Sequence, residues 1–249
     1  MIFTLTDLTR IGRVIDVSAV RTDITFEEVQ HLVAFVKAFH CICASPMPCV
    51  TEYVIQQLAD TPDTVVTGVV GFPSGAETTS TKVRMAQDFI KMGCKELDMV
   101  INVSAMKSGC TDWVRDDIRA VVDAAQGIPV KTILEICYLT DDEIARASLL
   151  AVEAGAAFIK TGTGWGNKPT TVETIRLIRK TIGNSAKIKA AGGVRNLDTI
   201  LEFIDAGCDR FGVGVLSATK IFEEAYRRVG QPLPQVNYDP IQGCMGGYR

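Results

Sequence analysis

A chain of 249 residues that is 47% hydrophobic is long enough and apolar enough to bury a large core without disulfides or metals to hold it together. Its net charge of −3 comes from acids and bases scattered along the sequence, and without a basic block or stripe no nucleic-acid partner is expected. His31 and His40 are too few and too poorly placed for a zinc site, and no apolar run reaches membrane-spanning length, so a soluble cytoplasmic protein with no membrane partner and no metal is expected.

The first ten residues, MIFTLTDLTR, have neither a long apolar core nor a cleavage signal. Short apolar runs bounded by turn residues then predict strands at 14–16, 41–44, 64–70, 96–100, 130–135, 158–160, 187–190 and 210–213, as expected of strands buried on both faces. Helical patterns lie between them. One covers 25–39, a second aligns Val114, Ile118, Val121, Val122 and Ala125, and a third aligns Leu197, Ile200, Leu201 and Ile204. Three segments (KMGCKELDMV, EAGAAFIKTG and DAGCDRFGVG) each run from a helix end through a glycine to a strand, which suits Gly93, Gly155 and Gly207 to the position just past a helix.

Strands alternating with helices point to an α/β protein with a parallel sheet. With no early GxGxxG loop and no strand that reads as an edge, a single (β/α)8 TIM barrel over residues 1–229 is favoured over an open doubly wound sheet. Residues 230–249 have no periodicity and read as an irregular tail, with Tyr248 a candidate lid over the site. The eight cysteines have no framework spacing, and Cys41, Cys43, Cys94, Cys137 and Cys208 fall in apolar runs, so buried reduced thiols are expected.

In such barrels catalytic groups sit at the C-terminal ends of strands. The polar residues on or ending these strands are Asp16, Asp98, Lys131, Glu135, Lys160 and Lys189. Buried charges must be paired or shifted in pKa, and two lysines sharing one mouth disfavour both being charged. A partly neutral Lys160 could attack a carbonyl carbon to form a Schiff base, with Asp98 moving protons directly or through water. Glycine-rich stretches follow the last three strands: TGTGWG from Thr161, then Gly192 and Gly193, then Gly212 and Gly214. Their backbone N–H groups suit a phosphate, and Ser217 is expected to open a helix whose N-terminus adds to the site.

Taken with their order and spacing, VVGFPSG at 69–75, ELDMVIN at 96–102, VKTILE at 130–135, FIKTGTG at 158–164 and KAAGGVR at 189–195 resemble the deoxyribose-phosphate aldolase family. The resemblance implies a cofactor-independent class I aldolase. Its substrates would be small phosphosugars and aldehydes, cleaving 2-deoxy-D-ribose 5-phosphate to acetaldehyde and D-glyceraldehyde 3-phosphate. Lys160 matches the Schiff-base lysine, Lys189 the lysine that lowers its pKa, and Asp98 the acid/base aspartate. Lys131 and Asp16 match supporting site residues. The protonated imine then serves as electron sink for breaking a carbon–carbon bond, read here as C3–C4 with the C4 hydroxyl proton leaving through Asp98 and water. Family members are often dimers, so a homodimer is the assembly the resemblance suggests.

The chain departs from the family where Gly162 replaces a usual Ser, where Val213, Gly214 and Val215 follow Gly212 in place of hydroxyl residues, and in CICASPMP, which lacks the usual aromatic or Asn. These departures leave the Schiff-base chemistry intact but bear on the acceptor aldehyde and the phosphate, and two alternatives stay open. One is the same chemistry on another sugar phosphate or an unphosphorylated aldehyde, and the other is a non-catalytic phosphosugar-binding barrel.

Overall fold

The computed structural model of the protein describes residues 5–238. Eight parallel strands close into a barrel in sequence order: β1 (Ile15–Ala19), β2 (Cys43–Pro46), β3 (Val65–Val70), β4 (Glu96–Val100), β5 (Val130–Ile133), β6 (Phe158–Lys160), β7 (Lys187–Ala191) and β8 (Arg210–Gly214). Around them pack α1 (Phe26–Ala38), α2 (Thr51–Gln57), α3 (Thr79–Met92), α4 (Val103–Lys107), α5 (Thr111–Ala124), α6 (Asp141–Glu153), α7 (Val172–Ile182), α8 (Leu197–Asp205) and α9 (Val215–Arg228). The TIM barrel expected from the alternation is the fold observed.

Local chemistry sets the element boundaries. Thr25 caps α1 and Thr140 caps α6, each in a reciprocal capping box with the glutamate three residues on, so two otherwise orphaned backbone N–H groups are satisfied at each helix start. Gly93 ends α3 with φ of 112°, a left-handed turn that costs a glycine nothing. β1 runs on to Ala19 and β2 starts only at Cys43, later than their apolar runs suggest. β5 stops at Ile133 and does not continue to residue 135, because Glu135 turns into the left-handed region at φ of 55°.

Period-two alternation divides each strand between two environments. The outward residues join the layer between barrel and helices: Ile15 and Val17, Leu97 and Met99, Ile188 and Ala190, Phe211 and Val213 are all buried there. At Gly68 a side chain would run into the ring of Phe89, so α3 lies directly on β3. The inward residues are unusual. Where such barrels commonly stack branched apolar side chains, this one turns Asp16, Glu96, Asp98, Lys131, Lys189 and Arg210 toward its axis, all buried.

The seven cysteines among the described residues are free. Cys41, Cys43, Cys94 and Cys208 are buried as expected, and burial pushes each thiol up, Cys94 and Cys208 to about 12. Cys137 is only half-buried, because β5 has already ended before it. Residues 231–238 carry no helix or strand, and Tyr248 lies outside the described residues. No helix among the described residues is long and apolar enough to cross a membrane.

Candidate active site

The barrel registers Asp98 beside Lys131, and Lys160 beside Lys189. Neighbouring strands therefore aim these side chains at one point. Asp98 is wholly buried at its centre. Its Oδ1 accepts from Lys131 Nζ at 2.8 Å and Thr67 Oγ1 at 3.0 Å, and its Oδ2 accepts from Lys160 Nζ at 2.7 Å and Lys189 Nζ at 2.8 Å. Asp16 is the second centre, bound by Lys131, Lys189 and Arg210. Glu96 completes the array with Lys131 at 2.6 Å and Arg210 at 2.9 Å. Asp16, Cys43 and Glu96 also come close enough together to hold a metal ion, but Lys131 and Arg210 already occupy their carboxylates.

The network sets three carboxylates against four cationic side chains, so it balances when one of the four is neutral. Lys160 is the member that gives up its proton most readily. Burial drives its pKa down to about 8, the attraction of Asp98 opposes the fall, and the nearby positive charge of Lys189 adds to it. Desolvation thus outweighs the lysine–lysine repulsion that the sequence suggests as the cause. Lys131 goes the other way: burial lowers its pKa, but Asp16 and Asp98 lift it well above the usual lysine range. Burial would raise the pKa of Asp98, yet Lys131, Lys160 and Lys189 together hold it well below the usual carboxylate range. A carboxylate so stabilised is a counter-ion first and a weak base while all three ammonium groups surround it.

Above the network opens a cavity of about 410 Å3, with Lys160 and Lys189 on its floor. Gly192, Gly193, Gly212, Gly214 and Ser217 are among the residues that line it. The helix there opens earlier than expected: Gly214 is the N-cap of α9, and Ser217 lies within its first turn. Thr161 does not reach the cavity. β6 ends on the inward Lys160, so the next side chain turns outward, where its hydroxyl accepts the Ala191 N–H at 2.9 Å and lies 2.7 Å from Thr170 Oγ1. It ties β6 to β7 and is not among the residues that line the cavity. Glu135 also stays out of the lysine cluster, accepting the Thr163 N–H at 3.1 Å and so fixing the loop after β6. That loop crosses the mouth: Trp165 Nε1–H donates to the Val20 carbonyl at 2.7 Å, and its ring meets Phe72 edge-on at 5.9 Å.

Glu96 and Arg210 are site residues that the sequence reading missed. They start their strands, away from the end where catalytic groups were sought. The signal was available, since Glu96 stands two residues before Asp98 on the same strand face, and Arg210 registers beside Lys189.

Residues 10–224 match the DeoC/LacD family aldolase model. The deoxyribose-phosphate aldolase of Sinorhizobium medicae is 41% identical over 223 residues, covering 90% of each chain. Among solved structures, an aldolase called QR15 superposes with a TM-score of 0.82 at 33% identity, over 88% of this chain and 97% of its own. A deoxyribose phosphate aldolase from Aeropyrum pernix, described as tetrameric, superposes with a TM-score of 0.78 at 28% identity, over 89% of this chain and 92% of its own. Barrel and similarity together define an aldolase, an enzyme of carbon–carbon bond cleavage and formation. The chain belongs to the DeoC/LacD aldolase family.

Proposed function

We propose that the protein reversibly cleaves 2-deoxy-D-ribose 5-phosphate to acetaldehyde and D-glyceraldehyde 3-phosphate through a Schiff base on Lys160. The observation that carries this reading is one buried amine with a pKa of about 8 on the floor of a cavity of about 410 Å3. At neutral pH about a tenth of it is the free amine a carbonyl carbon requires. The names of the Sinorhizobium medicae and Aeropyrum pernix relatives support the substrate.

Carbon count corrects the bond read from the sequence. Acetaldehyde takes C1 and C2 and the phosphorylated fragment takes C3 to C5, so the bond that breaks is C2–C3, not C3–C4. Lys160 Nζ adds to C1 and water leaves, giving an iminium beside the Asp98 carboxylate. The C3 hydroxyl gives up its proton, the C2–C3 electron pair moves into the iminium, and glyceraldehyde 3-phosphate departs. The remaining enamine takes that proton back at C2, and water releases acetaldehyde and the free lysine.

Asp98 serves as counter-ion to the iminium. It relays the C3 proton through water once Lys160 no longer offers it a full ammonium group. Lys189 and Lys131 add their positive charge to burial in lowering the Lys160 pKa, and Asp16 holds both of them in place. Backbone N–H groups of the Gly192–Gly193 turn and the N-terminus of α9 at Gly214 receive the phosphate, with Ser217 in the first turn.

A second reading, an unphosphorylated acceptor, is favoured by Leu216, which is 74% exposed in that same first turn. Rates on substrates with and without the phosphate separate the two. In this reading residues 1–229 form the catalytic barrel, and the assembly is a homodimer, which light scattering would test. The test of the chemistry is borohydride reduction with acetaldehyde followed by peptide mapping. An ethyl group on Lys160 is expected, and its absence from folded protein would refute the mechanism.

A further inference from the structure

Ser45 is buried, 4% exposed, yet its Oγ has no hydrogen-bond partner. Such a group forgoes water for nothing, and buried hydroxyls are nearly always satisfied. Its position explains what could satisfy it. On β1 and β2, Asp16 and Cys43 register beside each other and face the barrel interior, close to Glu96. Two residues on, Ser18 and Ser45 register in the same way and face the same side, one step nearer the mouth. Both line the cavity that holds Lys160 and Lys189. In an eight-stranded ring β2 lies opposite β6, so Ser45 looks across the cavity at the strand that carries Lys160.

We propose that Ser45 is a specificity-determining residue whose Oγ hydrogen-bonds the hydroxyl next to the reacting carbon of the acceptor aldehyde. This rests on the reading above. A substrate tied to Lys160 at C1, with its phosphate in the loops after β7 and β8, is held at two ends along one side of the cavity. Its remaining polar group, the C4 hydroxyl of the sugar, is the C2 hydroxyl of glyceraldehyde 3-phosphate. In the proposed pose that hydroxyl turns toward the wall built by β1 and β2, where Ser18 and Ser45 line the cavity. On that wall Arg21 is already paired with Asp23 and Glu28, whereas the Ser45 hydroxyl is unused. The C3 hydroxyl is not the partner, because it reacts.

The test compares two acceptors in the condensation direction with acetaldehyde: D-glyceraldehyde 3-phosphate and 3-oxopropyl phosphate, which lacks only that hydroxyl. One neutral hydrogen bond predicts that the parent prefers the hydroxylated acceptor by about tenfold in kcat/KM. In Ser45→Ala the ratio should fall to near one. Borohydride trapping of the acetaldehyde imine on the same variant reports both folding and the lysine chemistry. If the parent itself gives no trapped lysine, the Schiff-base reading fails. If trapping succeeds and Ser45→Ala keeps the parent's preference, or the parent shows none, the assignment of Ser45 is overturned.

Discussion

Replacing Lys189 by methionine removes one ammonium group while keeping most of the side-chain volume. Lys189 and Lys160 both donate to Oδ2 of Asp98, at 2.8 and 2.7 Å, so their charges lie no farther apart than those two bonds laid end to end. At about 5 Å and an effective dielectric near 20, the repulsion is about 3 kcal/mol, or about two pK units on Lys160 before Asp98 screens it. The substitution also leaves Asp98 with one fewer competitor for its charge, which raises the Lys160 pKa further. Allowing for screening, the acid limb of kcat/KM should move from about 8 to about 9 or above. Turnover at pH 7 should fall roughly tenfold from the free-amine fraction alone. The assay is the initial rate of sugar-phosphate cleavage from pH 6 to 10, with the position of the limb, not its height, as readout. A folded Lys189→Met enzyme with its acid limb still at 8 would refute the electrostatic argument.

Other outcomes follow from the same network. Between pH 8 and 10.5 the unfolded chain holds a proton on Lys160 that the folded protein has lost, so stability rises with pH across that window, by about 3 kcal/mol in all. Lys160→Met should therefore melt several degrees above the parent at pH 7, and a lower melting temperature would count against a destabilising amine. Asp16→Asn should cost about 3–5 kcal/mol, because Lys131, Lys189 and Arg210 lose a buried partner. Burial raises the Asp16 pKa, but those cations hold it below the usual range, so its contribution is present above about pH 4 and fades as pH falls; urea titrations at pH 7 and 3 should show the variant and parent converging in acid. Thr161→Val should lower stability by about 1–3 kcal/mol while KM for the sugar phosphate holds, and a large rise in KM would return Thr161 to the phosphate site. Gly193→Ala, which forces a side chain onto Pro169 at φ of 84°, should raise KM for the phosphorylated substrate while acetaldehyde still traps on the enzyme.

Strand-end charges make most of the site legible in the sequence alone. Asp16, Asp98, Lys131, Lys160 and Lys189 stand out because ions are rare inside apolar strands, and the closed ring brings all five together. The residues read less well mark where that rule stops. Glu96 and Arg210 stand at strand starts, away from the C-terminal ends where the catalytic groups of such barrels gather. Thr161 follows directly on an inward lysine, and alternation would have turned it outward. Glu135 looked like part of a charged strand, but a left-handed backbone at that residue is not visible in TILEI. The lowered pKa of Lys160 was expected, but its main cause, desolvation, depends on a depth of burial that only the folded barrel defines.

The ion pairs that define the site have an unusual span along the chain. Asp16 is separated from Lys189 by 173 residues and from Arg210 by 194, and β1 meets β8 only when the ring shuts. Contacts of such sequence separation come late in folding, after loop-closure entropy has been overcome. A nascent chain or a half-barrel therefore carries Lys160 as an ordinary surface amine, protonated and inert toward aldehydes at neutral pH. Reactivity with aldehydes would then report completion of the barrel, so borohydride trapping sampled during refolding would time ring closure at a single residue.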